Sequence, residues 1–283
     1  MTAFLQQLQA VIHTVPTISA TTWFATIDAA QVNHDLGINW HELSEMHKCF
    51  NLLDGTVEGT ELELTCWLIS MSEAMLEFTA ELSQNSPFSC TWLQSAWSIE
   101  DIAAHWQHAT NTRLPNGHNG LLRFYDPCVL QSLQAVLSST QWQTLSAPTV
   151  RWMYIDRNGF LTSIDAQNQP VRKNGTLTLS QDQLKQLNEA GQTDRIILNM
   201  QANEHLPTTY DPFATYQRIN AALSLLKKHN ITKPQDQYLF SALTLDWPLT
   251  HFVSPALDHS LTQVKQEGHD LIQIIEQNSP TIS

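Results

Sequence analysis

The run Leu121-Leu122-Arg123-Phe124-Tyr125-Asp126-Pro127-Cys128-Val129-Leu130 constrains this chain more than any other stretch. Its first half is short and almost wholly apolar, and Gly117-His118-Asn119-Gly120 precede it, so it reads as a buried strand bounded by turn residues. Its second half reads as a helix start: Asp126 can cap with its carboxylate, and Pro127 stands where a missing N–H costs nothing. Val129, Leu130, Leu133, Val136 and Leu137 then repeat at helical spacing. Arg123 lies in the middle of the expected strand, keeps its charge, and needs a partner if buried. It is either a structural ion pair or a cation for recognition or catalysis. No second acid, nucleophile or phosphate loop lies nearby in sequence, which favours the structural reading.

Trp23 to Ile27 reads as another strand, and Asp28 stands before Ala29-Ala30-Gln31-Val32, repeating the strand–aspartate–helix arrangement. Strand alternation puts Arg123 on the opposite face from Asp126, so Asp28 is its better partner if the two strands are neighbours.

The remaining pattern is that of helices interleaved with strands. A short amphipathic helix is expected over Phe4, Leu5, Leu8, Val11 and Ile12. Glu61 to Ile69 alternates like a strand, Ser70-Met71-Ser72-Glu73 opens a helix with Met75, Leu76, Phe78 and Leu82, and Phe88 to Leu93 reads as a strand. Ser98, with Asp101 three residues on, caps a helix that turns Ile102, Ala103 and Trp106 inward. After a short helix over Ser139 to Leu145, Thr149 to Ile155 and Phe160 to Ile164 form strands joined at Asn158-Gly159. That makes about six strands, expected as a mixed sheet covered by helices. Asp165 to Pro170 is polar and reads as a linker. Beyond it every segment is helical in pattern: Gln181 to Ala190 behind Ser180, Asp194 to Ala202, a long helix behind Asp211-Pro212, Gln235 to Leu245, and Pro255 to about Glu276. The expected class is α+β, an N-terminal α/β lobe over residues 1–168 followed by an all-helical lobe over 169–283.

Chemistry is harder to find. There is no Lys-Ser or Lys-Thr phosphate loop, no GxG and no GxSxG elbow. His41 and His47 flank a Glu but are six apart, whereas a zinc helix needs histidines four apart. His105 and His108 share a helix without a carboxylate or thiol at hand, so they read as surface or core-edge residues. Cys49, Cys66, Cys90 and Cys128 form no CxxC pair and sit among apolar neighbours, as buried free thiols do. Cys128 is the best placed to react, one turn into a helix, although a small core residue is the simpler reading. A formal net charge of −13 disfavours nucleic acid and anionic lipid, and would suit a partner with a basic patch. No signal peptide is expected in the first twenty residues, and no apolar run approaches the roughly 18 residues of a membrane span.

The segment LLRFYDPCVL resembles the arginine–aromatic–Tyr-Asp-Pro signature of the type VI secretion adaptor family, also called VgrG adaptors or effector-loading chaperones. Trp23 to Ala30, Leu52-Leu53-Asp54-Gly55-Thr56, the apolar segment through Leu62, Leu64 and Leu68, and Ser98 to Ile102 follow the order of that family's segments. Together they cover about residues 20 to 165. The resemblance implies a cytoplasmic, non-enzymatic adaptor that binds the N-terminal region of one effector and loads it onto the VgrG spike. It implies no cofactor, metal or small-molecule substrate. Asp28, Arg123, Phe124, Tyr125, Asp126 and Pro127 become its signature residues, structural or partner-binding. The alternative is an enzyme of unrecognised type using a Cys or His in a cleft between the lobes.

Overall fold

Thr22–Asp28, seven residues of which five in succession are buried, forms the strand around which the first part of the chain is built. The protein is described by a computed structural model over residues 3–14, 21–166, 176–207, 210–267 and 271–279. It is α+β and divides into two compact units, Met1–Glu189 and Ala190–Ser283. In chain order the first unit holds α1 (Ala3–Thr14), β1 (Thr22–Asp28), α2 (Trp40–Met46), β2 (Cys49–Asn51), β3 (Cys66–Ser70), α3 (Glu73–Asn85), β4 (Cys90–Ser95) and α4 (Ile99–Thr110). There follow β5 (Asn111–Arg113), β6 (Asn119–Leu121), α5 (Pro127–Val136), α6 (Ser139–Leu145), β7 (Arg151–Ile155), β8 (Leu161–Asp165) and α7 (Gln181–Ala190).

Six strands make one sheet in the order β2-β3-β1-β4-β7-β8, and each neighbouring pair is antiparallel. The register sets Asp28 opposite Cys66, Thr26 opposite Thr91 and Leu93 opposite Trp152. Alternation therefore puts Phe24, Thr26, Asp28, Cys66, Leu68, Leu93 and Trp152 on one face. Ile102 and Trp106 of α4, Leu130 and Leu133 of α5 and Leu145 of α6 share a buried cluster with that face. On the other face Trp92 donates its indole N–H to Thr79 of α3 at 3.1 Å and meets the ring of Phe4 from α1. Two helical layers thus enclose a sheet whose central strands are buried on both sides, which explains their nearly unbroken apolar runs.

Side-chain caps fix where the helices begin. Ser72, Ser98, Asp126, Ser138 and Asp211 each accept a backbone N–H at the start of α3, α4, α5, α6 and the helix after Asp211. Ser180 and Gln183 bond reciprocally ahead of α7.

Several expectations need correction. Leu121 to Tyr125 is not a strand: β6 stops at Leu121 and pairs only with β5, in a separate two-stranded ribbon. Phe124 N–H bonds to Leu122 and Asp126 N–H to Arg123, so the segment turns, and its apolar side chains are used in packing rather than in a ladder. Strand β3 starts only at Cys66, and Leu62 and Leu64 lie exposed in turns before it. Asp28 is followed by one 3-10 turn, Ala29–Gln31, which its side chain does not cap. The Gly117–Gly120 region forms the β5–β6 ribbon, and the edge strand β2 has too few residues to show a period. The first unit also runs past the polar segment, most of which lies outside the described residues, because Leu177 and Leu179 are buried in its core.

The second unit holds α8 (Gln192–Ala202), α9 (Pro212–Lys228), α10 (Pro234–Leu243), α11 (Pro255–Glu267) and α12 (Leu271–Asn278). The single helix expected over Pro255 to Glu276 is thus two. Helix α9 supplies Ile219 and Leu223 to one cluster, with Ile196 and Met200, and Ala222 and Leu226 to another, with Phe240, Trp247 and Leu261. At its C-terminus Lys228 and His229 reach Asp258 of α11 at 2.6 and 2.8 Å, opposite charges at opposite helix ends.

The loop between β2 and β3 is held by its own base. Asn51 donates to the Gly59 carbonyl at 2.9 Å and accepts from Leu53 N–H and the Thr65 hydroxyl. Thr56 bonds to the Leu53 carbonyl and to Gly59 N–H. A Cβ on Gly59 would lie 2.0 Å from the Leu53 carbonyl oxygen, whereas one on Gly55 would meet open space and only the strain of φ +82°. Gly55→Ala is therefore expected to cost about 1–2 kcal/mol. Gly59→Ala is expected to cost more than about 2 kcal/mol, because the loop backbone must move. Urea melts of both variants decide the order.

Candidate functional site

The signature segment folds onto the end of β1. Asp126 caps α5 by accepting Cys128 N–H at 2.9 Å, which fixes the turn before it. Phe124 then enters the core against Trp106 and Trp152, with ring centroids at 5.2 and 6.0 Å, and those two indoles stack at 4.9 Å. Tyr125 packs edge-on to Phe124 and is likewise buried, as is Pro127.

Arg123 meets Asp28 across 95 residues of sequence: Nη2 donates to Oδ2 at 2.5 Å, and Asp126 Oδ2 lies 3.9 Å away. The Asp28 side chain is 1% exposed and that of Arg123 36%. Burial works against the arginine's charge, but Asp28 and Asp126 outweigh it and hold its pKa above the ordinary value. Burial dominates at Asp28 and pushes its carboxyl from 3.8 to about 6, against the pull of Arg123; the Ala30 N–H helps the ionised form least. Tyr125 is pushed up too, chiefly by burial, and stays a phenol. The cluster brings together Asp28, Arg123, Tyr125 and Asp126, while Phe124 and Pro127 are core residues beside it.

Chemically this is an ion pair with a donor to spare, since the buried Nε of Arg123 has no hydrogen-bond partner among the described residues. The cation is already matched by two carboxylates and the phenol is held neutral. Cys66 and Cys90 are buried with thiol pKa values raised by burial, Cys90 to about 11, and burial also raises half-buried Cys49. Cys128 is half-buried. Buried His105 bonds through Nε2 to the Thr144 carbonyl at 2.8 Å, a contact a neutral ring makes by donating. Burial lowers its pKa from 6.5 to about 4, against that hydrogen bond. Among the described residues no group of three or more His, Cys, Asp or Glu side chains could hold a metal ion. Among the described residues no helix is long and apolar enough to cross a membrane. The aromatic packing of Phe124 and the loop network around Asn51 escaped the sequence reading; Trp106 at an inward helical position was the available signal for the first.

Residues 23–144 match a protein family described as a domain of unknown function, DUF4123. No curated protein and no solved structure matches the chain. The matched span takes in β1 with Asp28, the β2–β3 loop, α4 and the whole signature segment.

Two expectations follow. Breaking a buried ion pair from one side costs about 3–5 kcal/mol. Arg123→Ala is expected to cost less, about 2–3 kcal/mol at pH 7, since its side chain is 36% exposed and Asp28, already near 6, can take up a proton. That lowers the first unit's melting temperature by roughly 5–10 °C, while Asp126→Ala loses about 1 kcal/mol as a cap. Thermal melts of the two variants check this.

Between pH 4 and 6 the folded state holds a proton on Asp28 that the unfolded chain releases, so this group adds stability on acidification, by roughly 3 kcal/mol. His105 acts oppositely: the unfolded chain takes up the proton first, and roughly as much stability is lost as pH falls from 6.5 towards 4. Relative to wild type, Asp28→Asn is expected to steepen the loss of stability in acid and His105→Gln to flatten it. Denaturant melts at pH 7, 6, 5 and 4 measure both slopes.

Proposed function

We propose that this chain is a non-enzymatic adaptor that binds a cognate type VI secretion effector and presents it to the VgrG spike, in the cytoplasm. The observation that carries this reading is the match over residues 23–144 to DUF4123, a domain known in type VI effector adaptor and chaperone proteins. Supporting it, Phe124, Tyr125 and Pro127 are buried in packing, Asp126 caps α5 and Arg123 pairs with Asp28, which are the duties of a scaffold. In this reading Arg123 keeps the scaffold folded and loses partner binding only when the fold is lost. An effector's apolar loading segment needs cover until it docks, and its identity is read through matched shape and charge.

Co-production with the protein encoded in the adjoining reading frame, followed by size exclusion, tests this. The expected result is a stoichiometric complex, with the partner poorly soluble when produced alone. A partner equally well behaved alone and no complex would overturn the reading, and turnover of a small molecule by the isolated chain would replace it with an enzyme.

A further inference from the structure

We infer that the loop over residues 54–64 is a docking surface for a basic, amphipathic protein segment, and, resting on the adaptor reading, that the effector carries this segment. Val57, Leu62 and Leu64 are 83%, 36% and 46% exposed on this one loop. Asp54, Glu58, Glu61 and Glu63 are exposed on the same loop. No Lys or Arg occurs between Lys48 and Arg113, and among the described residues none of these four acids is in an ion pair.

The exposure is built in. Glu61-Leu62-Glu63-Leu64 alternates as an extension of β3 would, but the 3-10 turn Glu58–Thr60 and the bond from Leu64 N–H to the Glu61 carbonyl, 2.9 Å, hold it outside the sheet. Asn51, Thr56 and Gly59 tie the loop to its base while its apolar side chains face solvent. A surface ordered before binding avoids the entropy cost of ordering on contact. Exposed aliphatic side chains interspersed along one loop with a single sign of charge fit a segment that pairs Lys or Arg with an apolar face, and the net charge of −13 adds long-range attraction for it. A second copy of this chain would bring like charges together.

The test uses the full chain and a fluorescein-labelled Lys–Leu amphipathic peptide, with a Glu–Leu peptide as its counterpart, read by anisotropy at low and high salt. Glu58→Gln/Glu61→Gln/Glu63→Gln is compared with Glu73→Gln/Glu77→Gln/Glu81→Gln, which removes the same charge from the exposed side of α3. The loop variant is expected to weaken Lys–Leu binding roughly tenfold, about 1.4 kcal/mol, and the α3 variant less than about twofold. Val57→Ser/Leu62→Ser/Leu64→Ser should weaken it too, with unchanged salt dependence. Equal losses in the two charge variants, or equal affinity for the Glu–Leu peptide, would mean bulk charge alone and overturn the proposal. The same variants are then co-produced with the protein of the adjoining reading frame. If wild type and loop variant both retain it, the loop proposal fails and the adaptor reading stands. If wild type retains nothing, the adaptor reading fails, and the peptide alone decides the loop.

Discussion

The contact between Arg123 and Asp28 is the constraint on which the first unit depends. A carboxylate 1% exposed at the end of a central strand is untenable as an isolated charge. The arginine that answers it can arrive only if the signature segment turns, and that turn depends on Asp126 capping α5. The same turn drives Phe124 between Trp106 and Trp152, and so joins α4 and α5 to the sheet. Charge, cap and aromatic core are therefore one arrangement. Removing its polar part loosens the turn that presents Phe124 to the indoles, while the burial of those rings remains to hold the segment in place.

A second buried polar feature crosses the same sheet face. Trp152 donates to the Thr91 hydroxyl at 2.9 Å, and Thr91 shares a hydrogen bond with Thr26 at 2.7 Å. Each buried polar atom in this line has a partner, so the face tolerates threonines amid its apolar residues. Such lines also fix register, because a slip of one residue would orphan the donor and carry every side chain to the other face.

Much of the architecture was legible in the chain. Caps are local, so Ser98, Asp126, Ser180 and Asp211 announced their helices, and Asn158-Gly159 announced the β7–β8 turn. The pairing of Arg123 with Asp28 was expected from two neighbouring strands, and the pair forms although Leu122 to Tyr125 turn instead of making the second strand, with Asp126 also within 3.9 Å. What failed was apolar periodicity without length. Leu121 to Tyr125 and Glu61 to Leu64 have strand patterns, but backbone turns consume the hydrogen bonds that a ladder would need. The packing of α12 back on α11, with Asn278 bonded to Ser260, and the extension of the first core to Leu179 are contacts between residues far apart in sequence, which no window of residues reveals.

The strand order has a consequence during synthesis. Strand β1 emerges first from the ribosome, yet both its neighbours, β3 and β4, come later, and the cation for its terminal aspartate comes 95 residues after it. A nascent chain ending before residue 123 can pair β1 with β3 and β4 but would have to bury Asp28 without a counter-ion. Protonation near neutral pH, or an open strand end, is what such a fragment has available. Helices α5 and α6 and strands β7 and β8 also follow residue 123, so the sheet and its cover can be completed only after translation has passed the signature segment.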